Sequence, residues 1–227
     1  MPHAPLIQIV DRLQSHYGTP PGGEPEGPFE MVLWEIVAYL ADDATRTRAF
    51  RALKAKTGCD PQRILDTPLV DLHHITRMGG SIAWADRAER LYTAAHLALA
   101  EFEGDLSNVL RMPLPKAKRA LMKFPMTGEP GAEKILLLCS AQDVLALDSN
   151  GLRAMQRLGF GAENKSYSVA YRLVRGAVLE NGDYSLEFLQ RAHKLLRLHG
   201  QSLCKAAHPA CSACPLDRVC PFPGKRW

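Results

Sequence analysis

Apolar side chains recur at three- and four-residue steps along most of this chain, and nowhere do they alternate for long enough to make a strand. The first such run, from Leu6 through Val10 to Leu13, predicts a helix. Gly18 to Gly27 is so rich in glycine and proline that it reads as a connector. From Pro28 to Leu40 the positions Phe29, Met31, Val32, Leu33, Ile36, Val37 and Leu40 are apolar around most of a helical circumference, as expected of a helix buried in a bundle. Pro28 suits its first turn. Asp42 to Lys56 follows as a helix with Phe50 and Leu53 inward and a basic outer face of Arg46, Arg48, Arg51, Lys54 and Lys56. Pro61 to Leu65, Pro68 to Ile75, Ala83 to Phe102 and Lys116 to Lys123 continue the series. Ser149 to Leu158, Ser166 to Leu179 and Ser185 to His199 complete an all-α chain.

The 227 residues are enough for one medium domain or two small ones. The net charge of +4 is too mild to argue for nucleic acid globally, so only local clustering counts. The apolar run Ile135 to Cys139 is too short to span a bilayer, which predicts no membrane association. Asp11 and Arg12 interrupt any secretory h-region, so a reducing, cytoplasmic or nucleoid-associated setting is expected. Cys59 and Cys139 read as buried thiols. Nothing calls for an obligate oligomer, and a monomer is expected.

Four of the six cysteines, Cys204, Cys211, Cys214 and Cys220, follow the spacing C-x6-C-x2-C-x5-C. Thiolates gathered so closely point to a metal centre. A four-thiolate zinc site usually presents two C-x2-C hooks, and only Cys211 and Cys214 form one. An iron-sulfur cluster accepts longer, unequal steps and is the favoured reading over zinc or two disulfides. From Arg191 onward Arg191, Lys194, Arg197, Lys205, Arg218, Lys225 and Arg226 stand against one acid, Asp217. Beside a cluster loop such a run reads as a phosphate-facing surface, where otherwise it would be a solvated charged face.

This tail, preceded by Leu198-His199-Gly200, resembles the [4Fe-4S] loop of the endonuclease III family of helix-hairpin-helix DNA glycosylases. The resemblance runs from about Pro28 to Phe222 and implies the two-lobed fold of that family. Residues 28–140 would form a six-helix barrel with the hairpin at about 116–138. Residues 1–27 and 141–227 would form the iron-sulfur domain, with cluster loop 204–220 and DNA in the groove between lobes. Phe124-Pro125-Met126-Thr127-Gly128 stands where the family carries its hairpin, usually Leu-Pro-Gly-x-Gly, whose helix N-terminus offers N–H groups to a DNA phosphate. Asp148, eighteen residues after Pro130, matches the family's catalytic aspartate and is also a good N-cap for the helix it precedes. The turn Gly79-Gly80-Ser81-Ile82-Ala83-Trp84 matches a glycine-led turn whose apolar residue wedges into the base stack. Ile82 or Trp84 would be that residue, or both would simply pack as core.

The resemblance implies base excision from double-stranded DNA carrying a damaged or mispaired base, flipped into a pocket and cut at its N-glycosidic bond. Three departures shape the expectation. Pro130 occupies the position of the Schiff-base lysine and has no nucleophilic amine, so a monofunctional hydrolase without lyase activity is expected. Lys134, one helical turn on, is either a substitute nucleophile or a surface lysine. Leu40 stands where the family carries a glutamine that fills the gap left by the flipped base; leucine wedges by shape but cannot hydrogen-bond the orphaned partner. Met126 replaces the first hairpin glycine, a position where a Cβ opposes the usual backbone geometry. The competing readings are a bifunctional enzyme using another lysine, a DNA-damage-binding protein of the same fold without excision, and an iron-sulfur electron-transfer module.

Overall fold

The computed structural model describes residues 4–20, 25–162, 164–180 and 182–224, and among these every regular element is helical. The chain divides into two compact units, Gly23–Ala141 and a second made of Met1–Gly22 with Gln142–Trp227. The connector expected over 18–27 lies partly outside the described residues, as do Lys225 and Arg226.

The continuous unit contains α2 (Pro28–Val37), α3 (Asp43–Thr57), α4 (Pro61–Asp66), α5 (Leu69–Met78), α6 (Trp84–Phe102), α7 (Ser107–Leu110), α8 (Leu114–Leu121) and α9 (Glu129–Leu138). Its core is built on α2, where Phe29, Met31, Val32, Leu33, Ile36 and Val37 are all buried. The 19-residue α6 packs along α2, α4 and α5 through a stripe of small side chains, Ala88, Ala94, Ala95 and Ala98, that lets helices approach closely. Phe124 closes the hairpin end of this core, stacked on Phe102 at 5.7 Å and tilted on Phe29 at 6.4 Å.

Two boundaries and one short helix differ from the sequence expectation. Helix α2 stops at Val37 and not at Leu40, with Ala38 extended and Leu40 left-handed at φ 50°. The cause is tertiary: the chain at Gly79 lies so close that a Cβ there would stand 2.2 Å from the Val37 carbonyl oxygen. Helix α7 was not expected, because a single turn set up by Asp105, which accepts from the Ser107 amide at 2.8 Å, is too short to show a period. Helix α8 begins at Leu114, before Lys116, since Pro113 and Pro115 both fit a first turn. The supposed outer face of α3 is also partly folded in. Arg46 donates to the Trp34 carbonyl at 2.7 Å and lies over the indole ring.

The hairpin between α8 and α9 is clamped by Lys118, whose amine reaches Glu133, fully buried, at 2.6 Å and also meets Glu129. Met126 adopts the left-handed conformation, φ 61°, that glycine takes freely. An L-residue there costs about 1–2 kcal/mol. The chain therefore reaches this turn geometry without the usual glycine.

The discontinuous unit packs α1 (Leu6–Tyr17) and α10 (Ser149–Arg157) on α12 (Leu186–Ser202), with α11 (Tyr167–Leu179) against α10. Leu6, Ile9, Val10 and Leu13 of α1 are buried, which ties the amino-terminal helix to the late part of the chain. Gly200 sets the closest approach: a Cβ there would lie 2.4 Å from the Asn150 carbonyl oxygen. Alanine must push the start of α10 off α12. Gly200→Ala is expected to cost about 1–3 kcal/mol and to lower the melting temperature by several degrees in a thermal scan.

Candidate functional site

Asp148 caps α10 in extended conformation, its Oδ1 accepting from the Gly151 amide at 2.8 Å. Its Oδ2 accepts from Asn150 Nδ2 and pairs with Arg197 Nε, both at 3.3 Å. The carboxylate is thus held at both oxygens while its side chain stays 22% exposed. Tyr167, half-exposed on the first turn of α11, stands close enough to sense it. Burial first, then the Asp148 charge, push its phenol up to about 12, so it stays a neutral hydroxyl.

Helix α10 runs from this carboxylate to the cysteine loop. Arg153 donates to Asn150 Oδ1 at 2.9 Å, to the Gly200 carbonyl at 2.7 Å and to the Cys204 carbonyl at 2.9 Å. One turn further, Arg157 donates to the Lys205 and Ala206 carbonyls at 2.8 and 3.1 Å, to Cys204 Sγ at 3.4 Å, and lies over the Phe222 ring. The two arginines were not singled out in the sequence. Their four-residue spacing after an N-cap aspartate was the available signal.

Cys204, Cys211, Cys214 and Cys220 line one small cavity with His199, Leu216 and Phe222. Cys214 Sγ accepts from the Leu216 amide at 3.4 Å and lies 3.7 Å from His199 Nε2. Burial lowers the His199 imidazole to about 4, so it is neutral, and its Nδ1 meets the Tyr17 hydroxyl at 3.0 Å. Among the described residues no three His, Cys, Asp or Glu side chains converge as ligands of one metal ion. A multi-atom cluster holds its thiolates at separate corners around a shared volume. The donor set, four thiols around a cavity with N–H groups directed at two of the sulfurs, fits the cluster.

In the other unit the segments carrying Leu40 and Ile82 are joined by a residue the sequence reading passed over. Arg87, fully buried, donates to the carbonyls of Val37 at 2.5 Å, Ile82 at 3.1 Å and Gly79 at 3.4 Å, and also to Gly80. Two helix C-termini, those of α2 and α5, direct their carbonyls at this one guanidinium. The signal was a cation on the apolar stripe of α6, in line with Leu91, Ala94 and Ala98. Leu40 and Ile82 remain 77% and 48% exposed on the segments so held. Trp84, by contrast, packs edge-on to His73 with Arg77 over its ring, which leaves Ile82 as the outward side chain of that turn.

Of the hairpin residues, Thr127 is buried, Met126 is half-buried and Gly128 is exposed as the N-cap of α9. Pro130 lies in the first turn and contributes no N–H. Lys134 does not stand open to solvent: its amine is 2.6 Å from Glu35 of α2, with both side chains about four-fifths buried. No helix is long and apolar enough to cross a membrane among the described residues.

No family model matches the chain. It is similar to the endonuclease III of Haemophilus influenzae, 24% identical over 96% of each chain, and to that of Escherichia coli K12, 21% identical over 99% of each. The match to the endonuclease III of Rickettsia prowazekii, 28% identical, spans about half the length of each protein, 48%. Among solved structures, a trapped endonuclease III–DNA covalent intermediate shares the fold with TM-score 0.76, 21% identity and coverage of 96% of this chain and 97% of that one. A thermostable thymine-DNA glycosylase does so with TM-score 0.74, 17% identity and coverage of 96% and 94%.

Two measurements check this geometry. Arg87→Met leaves buried carbonyls without a donor and is expected to cost about 2–4 kcal/mol in urea unfolding, with Arg87→Lys recovering only part. Burial pushes the Cys59 thiol up to about 12 and the Cys139 thiol to about 11. The thiolate is then scarce at pH 8, and neither residue is expected to take up iodoacetamide until the protein unfolds.

Proposed function

We propose that this chain, a member of the endonuclease III-like family of helix-hairpin-helix proteins, is a base-excision glycosylase that hydrolyses the N-glycosidic bond of a damaged or mispaired base in duplex DNA. The observation that carries the reading is Asp148, a carboxylate fixed at the head of α10 yet still open on one side. A base inside a duplex is out of reach, so the nucleotide must be rotated out of the stack. Leu40 and Ile82, apolar and outward on segments clamped by Arg87, suit the wedge that holds the duplex open. Loss of the base leaves positive charge on the sugar, and Asp148 is placed to stabilise it or to orient the attacking water. The hairpin turn at Met126, Thr127 and Gly128 takes a phosphate through its backbone.

Cys204, Cys211, Cys214 and Cys220 hold a [4Fe-4S] cluster in this reading. When bound it fixes the loop on which Lys205 and Arg218 face the DNA backbone, and Arg153 and Arg157 tie that loop to α10. The reaction is monofunctional. Pro130 has no amine, and the Lys134 amine is engaged with Glu35. What favours the second reading, a DNA-damage-binding protein without excision, is that Pro130, Leu40 and Met126 stand where the resembled family carries lysine, glutamine and glycine.

The test is product formation by the cluster-loaded protein on duplexes carrying a panel of lesions, each assayed with and without alkali. Strand breaks only after alkali are expected, with no borohydride-trapped adduct. Asp148→Asn should slow excision by about 10²–10⁴-fold, and full activity in that variant would falsify the assignment. No cleavage across the panel, with binding retained, would turn the reading to the non-catalytic protein. Cys211→Ser is expected to lose iron and labile sulfide together.

A further inference from the structure

Asp148 carries more positive compensation than its proposed task allows. The start of α10 meets one carboxylate oxygen through the Gly151 amide, and Asn150 and Arg197 meet the other. A carboxylate whose charge is cancelled by a guanidinium 3.3 Å away projects little negative field onto a cationic sugar. The reaction proposed above needs that field. One of the compensating groups must therefore leave, and the amides and Asn150 belong to α10 itself and move with Asp148.

We propose that Arg197 is an exchangeable counter-ion of Asp148, which passes from the carboxylate to a backbone phosphate when a duplex is engaged and so unmasks Asp148 for the chemistry. This rests on the glycosylase reading. The pair has the character such an exchange requires. It is made through Nε at 3.3 Å, longer than the usual charge-assisted bond, and the Arg197 side chain is 28% exposed. The remaining exposure leaves the guanidinium reachable from solvent. A phosphate can meet a guanidinium with two parallel hydrogen bonds, a mode that the Nε contact to Asp148 at 3.3 Å leaves unused. The flanking Leu195 and Leu196 are buried, so the α12 backbone stays in place while the head of Arg197 turns. Arg191, which also pairs with Asp11 at 3.7 Å, and Lys194 lie at three-residue steps before it and add positive charge to this stretch of helix. Arg197 acts through Asp148 and is a positioning residue.

The experiment is a double-substitution cycle read as equilibrium binding to a duplex containing a tetrahydrofuran abasic-site analogue, across a range of salt. It uses the cluster-loaded full chain and the variants Arg197→Gln, Asp148→Asn and both together. Arg197→Gln is expected to weaken binding on the order of tenfold and to reduce the salt slope by about one. Arg197→Lys should keep the slope, which shows that charge and not folding is being read. Asp148→Asn should tighten binding by releasing Arg197, and that gain should vanish when Arg197 is already Gln. Additive effects of the two substitutions, or an unchanged salt slope in Arg197→Gln, overturn the exchange. Single-turnover excision measured alongside separates the two claims. Coupled binding without excision in the unsubstituted protein keeps the exchange and sinks the glycosylase reading, while normal excision with additive binding sinks the exchange alone.

Discussion

Everything chemical in the discontinuous unit depends on how tightly α12 can lie against the start of α10. Gly200 permits that approach, because any Cβ would run into the Asn150 carbonyl. Once the two helices are so close, Arg153 can span them, bonding Asn150, Gly200 and Cys204 from one guanidinium. Arg197, on the same helix as Gly200, then comes within reach of Asp148. The carboxylate and the cysteine loop are in this way fixed by one packing contact between two helices, and a shift of either element would be felt at both.

The continuous unit solves a related problem with the opposite charge. Two helices end facing each other, and their unsatisfied carbonyls would be costly if buried without donors. Arg87 supplies the donors and cancels the negative ends of both helices. Burial lowers its pKa from the usual range, yet a guanidinium starts so high that it keeps its charge. The consequence is a rigid base under two segments that each present an exposed aliphatic residue. Bending either segment away would cost contacts to the Arg87 guanidinium.

The departures from the family pattern are absorbed differently. Met126 reaches the backbone conformation of the glycine it replaces, so the hairpin survives at a modest local cost. Pro130 fits the first turn of α9 and changes chemistry without changing shape. Lys134 is drawn into an ion pair with Glu35. In the proposed reaction only Pro130 and Lys134 would matter, the first for its missing amine and the second for its ion pair.

What the sequence by itself determined is local. Helix positions followed from the 3.6-residue period. The caps at Asp42 and Ser185 followed from residue type, and the cluster expectation from four cysteines within seventeen positions, 204 to 220. The N-cap role of Asp148 was legible from its residue type ahead of Ser149-Asn150-Gly151. The tertiary structure decided what period and spacing do not encode. It ended α2 three residues early, turned Ile82 outward and Trp84 inward, and paired Lys134 with Glu35 and Arg197 with Asp148. Each of these depends on which side chain of one helix meets which carbonyl or carboxylate of another. That meeting is set by how closely the helices dock, and so by residues such as Gly79 and Gly200 whose effect lies in the side chain they lack.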